Sequence, residues 1–207
     1  MHPFRSCIAF FLFALSLWGV DCTTPQKLII IRHGESDHNV NHVYNSNPAH
    51  PSYTPSHLTE SGKETVKQTA KKLLKEGFNN KNITHVYVSP LPRTIETANL
   101  LAQMGLFSKD KIVIDRKLIE IQAGNLEGLP EGPPWNDQKA YKYHAETPSH
   151  VAHRVDLFYK KLKEENPCGN VIVVTHGIIT IYLKKLLDIT PPSILEPGEG
   201  EVFPLNH

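Results

Sequence analysis

Short, continuous apolar runs alternate along the chain with segments in which apolar residues recur every three or four positions. The runs Lys27-Leu28-Ile29-Ile30-Ile31, Thr84 to Val88 and Val171 to Val174 are rich in β-branched residues. Runs of that length and kind predict buried strands. Between them, Val66, Ala70, Leu73 and Leu74 fall on one face of a helix that Gly77 is placed to end. Pro92 to Met104 predicts a second helix, opening with proline where a helix tolerates it. Val151, Val155, Phe158 and Leu162 mark a third helix, and Ile178 to Leu187 a fourth. Strands alternating with helices predict parallel βαβ units: an α/β fold, a three-layer α/β/α sandwich around a mostly parallel sheet. Two segments break the pattern. His38 to His57 is polar and rich in Asn, His and Pro, and Gly124 to Pro148 is irregular and proline-bearing. Both read as long loops, which in compact domains are more often functional than idle.

Composition narrows the class without giving the function. The chain has 207 residues, 40% hydrophobic and 21% charged, with a formal net charge of +1. These values exclude collagen-like, disordered and mostly transmembrane chains. The charge balance argues against nucleic acid as a partner. Residues 1–22 read as a secretory signal peptide, leaving 23–207 as one domain. Arg5 precedes the apolar run Ile8 to Val20, too short to cross a bilayer comfortably but suited to a signal h-region. Val20-Asp21-Cys22 offers a cleavage site, so the expected location is secreted or periplasmic, without stable membrane insertion after cleavage. Three cysteines, Cys7, Cys22 and Cys168, make no disulfide framework. A Cys22–Cys168 bond requires cleavage before Cys22. Asn82-Ile83-Thr84 is a glycosylation sequon of the kind that arises often by chance.

The chemistry gathers directly after the three strands. Arg32-His33-Gly34-Glu35 follows the first, Ser89-Pro90-Leu91-Pro92-Arg93 the second, and Thr175-His176-Gly177 the third. Ligands of open α/β sheets bind beyond the carboxyl ends of the strands, so two histidines and two arginines are expected in one crevice. Glycines there admit close backbone approach, and helix starts add N–H donors and positive potential. Guanidinium groups with such donors suit a phosphate. His38, His42, His50 and His57 match no compact metal-ligand spacing and read as a solvated loop. No cofactor and no metal are expected.

The segment Ile31-Arg32-His33-Gly34-Glu35-Ser36, with Asn39 three positions on, resembles the first motif of the histidine phosphatase superfamily, the phosphoglycerate mutase-like proteins of branch 1. Ser89-Pro90-Leu91 with Arg93, Thr97 and Ala98 resembles the second motif. Leu118, Glu120, Gly124 and Glu127-Gly128 resemble the segment bearing the acid, and Val174-Thr175-His176-Gly177 the last motif. Leu58-Thr59 with Gly62 is similar to the segment leading into the first long helix. The likeness runs from about Lys27 to Leu187 and implies a phosphoglycerate mutase-like fold.

The resemblance also implies roles. His33 would be the nucleophile, carrying the phosphoryl group as phosphohistidine. Arg32, Arg93 and His176 would hold its equatorial oxygens, with Asn39, Ser89 and Gly177 as further contacts. Glu120 would protonate the leaving oxygen and then activate water, which requires burial to offset the nearby arginines unless the enzyme works in acid. Glu35, next to the nucleophile, reads as an electrostatic or orienting group. Mutases of the family carry a longer insertion between acid and second histidine, and Ile121-Gln122-Ala123 lacks the basic and aromatic residues expected of a glycolytic mutase. Hydrolysis of a small phosphomonoester is therefore the expected reaction. A phosphoglycerate mutase-like phosphotransferase and a non-catalytic module binding phosphorylated ligands are the alternatives. Natural substrate and oligomeric state stay open.

Overall fold

Every second side chain of the first apolar run enters a different core. β1 (Lys27–Arg32) sends Leu28 and Ile30 to one side of the sheet and Ile29 and Ile31 to the other. That is the period of a strand buried on both faces. The computed structural model describes residues 26–132, 135–166 and 168–205. Residues 1–22, read above as a signal peptide, lie outside them. Four further strands join β1: β2 (Ile83–Val88), β3 (Ile112–Ile114), β4 (Asn170–Thr175) and β5 (Gly200–Pro204), in the order β3-β2-β4-β1-β5. The pairs β1–β4, β2–β4 and β2–β3 are parallel, while β5 runs antiparallel to β1.

The helices close both faces. α2 (Glu60–Lys75) supplies Val66, Ala70 and Leu73 to the core containing Ile29 and Ile31, joined by Ala98 and Leu101 of α3 (Pro92–Gln103). On the opposite face, α5 (Pro148–Glu165) supplies Val151, Val155, Phe158 and Leu162, and α6 (Gly177–Leu186) supplies Ile179 and Leu183. α3 opens on Pro92 as expected, Thr59 accepts the Gly62 N–H at the start of α2, and Pro148 occupies the first turn of α5. The three-layer α/β/α sandwich with a mostly parallel sheet is thus present. Each fully buried Leu, Ile or Phe contributes about 1.5–3 kcal/mol through burial.

The differences from expectation lie at the edges and in the loops. Strands β3 and β5 are edge strands. β3 has three residues, and Gly-Glu-Val-Phe-Pro in β5 carries too few apolar positions to register as a run. The two segments expected as loops contain the short helices α1 (Asp37–Asn41) and α4 (Asp137–Lys142). Cys168 is disulfide-bonded, so packing alone does not account for stability; Cys7 and Cys22 lie outside the described residues. Among the described residues, no helix is long and apolar enough to cross a membrane.

Candidate active site

Parallel registry brings the three polar clusters side by side. Arg32 pairs with Thr175 and Val88 with Val174, so the chain leaves β1, β2 and β4 at one level. Two backbone bonds continue the ladder past the strand ends, from His33 N–H to the Thr175 carbonyl (2.9 Å) and from Ser89 N–H to the Val174 carbonyl (3.1 Å). Gly34 then passes so close to α2 that a Cβ would stand 2.7 Å from the Gly62 carbonyl oxygen. Gly62 in turn packs on the Glu35 backbone, where a Cβ would stand 2.2 Å from the Glu35 carbonyl oxygen.

His33 is the centre of the constellation. Its Nδ1 lies 2.8 Å from the Gly34 carbonyl, which can only accept, so Nδ1 carries the proton and Nε2 keeps its lone pair. Arg93 Nε–H donates to that lone pair at 3.2 Å. The remainder of the Arg93 fork donates to Asn45, through Nη1 to Oδ1 and through Nη2 to the carbonyl, both at 2.8 Å. Arg93 is completely buried, and burial lowers its pKa to about 10, which leaves it cationic at neutral pH. The His176 ring stands 5.1 Å from that of His33, edge to face, with Nε2 2.7 Å from Ser89 Oγ. Burial first, and then Arg93, push both His33 and His176 well below the ordinary imidazole range. Both rings are neutral. His176 Nδ1 and Arg32 Nε are buried without a hydrogen-bond partner among the described residues. Arg32 Nη1 donates to the Leu195 carbonyl at 2.8 Å.

The polar loop contributes residues that sequence reasoning missed. Asn45 carries two of the three Arg93 contacts. His38 is buried rather than solvated, its ring 5.5 Å from that of His33. A closed circuit fixes it. Asn39 Nδ2–H donates to His38 Nε2 (3.1 Å), His38 Nδ1–H donates to Ser36 Oγ (2.8 Å), and Ser36 Oγ–H donates to Asn39 Oδ1 (3.0 Å). Burial, Arg93 and Arg32 lower the His38 pKa to about 2. His42 and His57 are exposed, as expected, and His57 pairs with Glu96. The loop is fastened at Ser46, whose N–H and Oγ–H donate to the two carboxylate oxygens of buried Glu127 at 2.8 and 2.7 Å. A single asparagine or serine in a polar stretch carries no periodic signal, which is why Asn45 and Ser46 were invisible.

Glu120 follows a 3₁₀ turn, and its segment is tied to β4 by Thr175 Oγ1–H donating to the Leu118 carbonyl at 2.8 Å. A buried ion pair braces the other side. Arg154 grips Glu146 through Nε (2.7 Å) and Nη2 (2.9 Å) and donates from Nη1 to the Lys117 carbonyl. Burial raises the Glu120 pKa against the opposing influence of the Ile121 N–H, Arg93 and Arg32. The carboxyl is therefore disposed to hold a proton. Glu35 Oε1 accepts from Thr59 Oγ1 at 2.6 Å, which ties it to the α2 start.

A pocket of about 290 Å³ opens over these groups. Arg32, His33, His38, Asn39, Asn45, Glu120 and Gly177 form its polar floor and sides. Arg93, Ser89 and His176 are wholly buried and stand behind that lining, in contact with His33 or with each other. All the expected site residues therefore converge. Among the described residues no group of three or more His, Cys, Asp or Glu side chains is disposed to hold a metal ion.

Comparison with known proteins agrees with this geometry. The family described as the histidine phosphatase superfamily (branch 1) matches residues 28–198. The chain is 25% identical over 180 residues to phosphoglycerate mutase-like protein 4 of Arabidopsis thaliana, covering 81% of this chain and 72% of that protein. It is 37% identical over 100 residues to the 2,3-bisphosphoglycerate-dependent phosphoglycerate mutase of Thermoplasma acidophilum, covering 48% of this chain and 44% of the mutase. Its fold is shared with a putative α-ribazole-5'-P phosphatase from Escherichia coli (TM-score 0.68, 21% identity, 88% and 92% of the two chains). It is shared equally with a phosphoglycerate mutase from Bacillus anthracis (TM-score 0.67, 24% identity, 88% and 90%). With the matched segment reaching from β1 past α6 and enclosing every residue of the pocket's polar floor, the chain belongs to the histidine phosphatase superfamily, branch 1.

Proposed function

We propose that the protein is an exported, metal-independent phosphatase that hydrolyses small phosphomonoesters through a phosphohistidine on His33. The observation that carries this reading is the pairing at the nucleophile: Nδ1–H is held by Gly34, and the Nε2 lone pair faces the Arg93 guanidinium. A neutral imidazole with one fixed lone pair attacks without activation by a base. Nε2 forms the bond to phosphorus as the bond to the leaving oxygen breaks. Arg93 Nε–H, already on that atom, passes to a phosphoryl oxygen. Arg32 and the unpartnered Nδ1 of His176 supply further donors where transition-state charge gathers. Protonated Glu120 gives its proton to the departing alkoxide. As a carboxylate it then takes one from water, which attacks phosphorus, returns phosphate and frees Nε2.

Hydrolysis is preferred to transfer because the segment following Glu120, Ile121-Gln122-Ala123, offers no cation for a phosphoglycerate. Export is proposed from the short apolar run Ile8 to Val20 and its following cleavage signal. Phosphate release from 4-nitrophenyl phosphate by the purified protein, in chelator from pH 4 to 8, tests the reading. Turnover should vanish in His33→Ala. Turnover that survives His33→Ala, or that requires an added metal, rejects it; dependence on a bisphosphorylated primer would favour the mutase alternative.

A further inference from the structure

Beside the polar groups, part of the pocket wall is apolar surface. Ile121, Trp135, Ile178 and Ile194 line it together with Tyr44. They come from five different segments, and Ile194 meets Arg32 at Gly177, next to Ile178. The polar ends of the two aromatic residues are anchored to neighbouring groups. Trp135 Nε1–H donates to the Glu146 carbonyl at 2.9 Å, and the Tyr44 hydroxyl receives Lys139 Nζ at 2.8 Å and the Gly132 N–H at 3.2 Å. Trp135 therefore offers a ligand only its ring, while the Tyr44 hydroxyl, accepting both bonds, keeps its own O–H to donate. The two rings meet edge to face at 5.8 Å, a rigid arrangement. Ile194 is 44% exposed and stands open at the pocket mouth.

Carboxyl groups line this pocket, and one ammonium group stands beside it. The ionisable groups of the lining other than Arg32 and the histidines are Glu120 and Glu131. Lys139 lies against the Tyr44 and Trp135 rings and belongs to the adjoining pocket. An alcohol portion bearing a carboxylate or a second phosphate would face Glu131 and isoleucine side chains, with the Lys139 ammonium already engaged by the Tyr44 hydroxyl and the two rings. A neutral alcohol with a flat apolar group would cover exposed Ile194 and pack against Trp135.

From this we infer that the pocket selects phosphomonoesters of neutral, ring-bearing alcohols and discriminates against anionic ones such as phosphoglycerate, with Trp135 and Glu131 as the specificity-determining residues. The inference rests on the phosphoryl site proposed above and assigns its leaving-group side.

The test compares 2-phenylethyl phosphate, ethyl phosphate and 3-phosphoglycerate, the first two being primary alkyl esters whose leaving groups differ mainly in the ring. The expected order of kcat/KM is phenylethyl over ethyl by at least about tenfold, the scale of burying most of a phenyl ring, with 3-phosphoglycerate poorest. Trp135→Ala should collapse the phenylethyl-to-ethyl ratio toward one, mainly through KM, while Trp135→Phe retains most of it. Glu131→Lys should raise relative turnover of 3-phosphoglycerate. Equal or better use of ethyl phosphate or 3-phosphoglycerate by the wild type, or a ratio indifferent to Trp135→Ala, overturns the inference. Calorimetric binding of the same three esters to His33→Ala gives the ranking without turnover. Absence of phosphate release would then reject the hydrolase reading alone, and the affinity order would decide the wall.

Discussion

Three neutral histidines packed around one arginine make the fold sensitive to acid, and His38 allows the effect to be measured. In the unfolded chain its imidazole has the ordinary pKa of 6.5, whereas in the fold burial, Arg93 and Arg32 hold it at about 2. Between those values the unfolded state binds a proton that the folded state refuses, so stability falls as pH drops below 6.5. At pH 5 the unfolded imidazole lies about 1.5 pH units below its pKa. At about 1.4 kcal/mol per unit, this removes about 2 kcal/mol relative to neutral pH. His33 and His176 act with the same sign, and a domain of this kind has only about 5–15 kcal/mol to lose. The assay is urea unfolding followed by circular dichroism at pH 7 and pH 5, for the wild type and His38→Phe. The variant loses the bonds to Ser36, Ser56 and Asn39 and is destabilised at both pH values. Its loss between pH 7 and pH 5 should nevertheless be smaller than the wild type's by about 2 kcal/mol. Carboxylate titrations are common to both proteins and cancel. Equal pH dependence in the two would refute the placement of a neutral His38 in the interior.

Three further outcomes are expected. Arg93→Ala should lower kcat/KM by about 10²–10³-fold, the loss of a transition-state donor. It should also move the acidic limb of the pH profile upward, because Arg93 is second only to burial in depressing His33; unchanged kinetics would remove Arg93 from the chemistry. Wild-type kcat should decline as pH rises through the elevated pKa of Glu120. Glu120→Gln should abolish that limb and slow turnover by about 10²–10⁴-fold, less for 4-nitrophenyl phosphate than for an alkyl ester whose leaving group needs the proton. Gly34→Ala forces a Cβ to 2.7 Å from the Gly62 carbonyl oxygen, so activity and thermal midpoint should drop together. A fully active, stable Gly34→Ala protein would contradict the close approach of β1 and α2.

Much of this molecule is legible in residue order because parallel βαβ units write themselves as apolar runs and helical periods. Arg32, His33, Arg93 and His176 were readable for the same reason, since each sits within five residues of a strand end. The remainder depends on tertiary contacts without local pattern. Asn45 matters because Arg93 reaches it from 48 positions away, and His38 is buried because α1 folds inside a segment whose composition resembles a solvated loop. Glu35 shows another limit of adjacency: its carboxylate accepts from the Thr59 hydroxyl at the start of α2, a contact that its place beside His33 does not announce. The β5 edge was hidden by a glycine and a proline at its ends.

β5 and the segment before it have a consequence for biosynthesis. Arg32 Nη1 rests on the Leu195 carbonyl, and the Gly198 N–H bonds the carbonyls of both Arg32 and His33. Ile31 finds its edge partner only at Gly200, and β1 cannot acquire its other neighbour before Asn170–Thr175 exists. The Arg32-His33 dipeptide is thus shaped by residues made about 160 positions later. A nascent chain carries His33 well before it carries the residues that complete the pocket. Contacts of such separation close slowly relative to helix formation. The pocket is therefore closed only once residues 195–200 have been made, an order written into the strand arrangement.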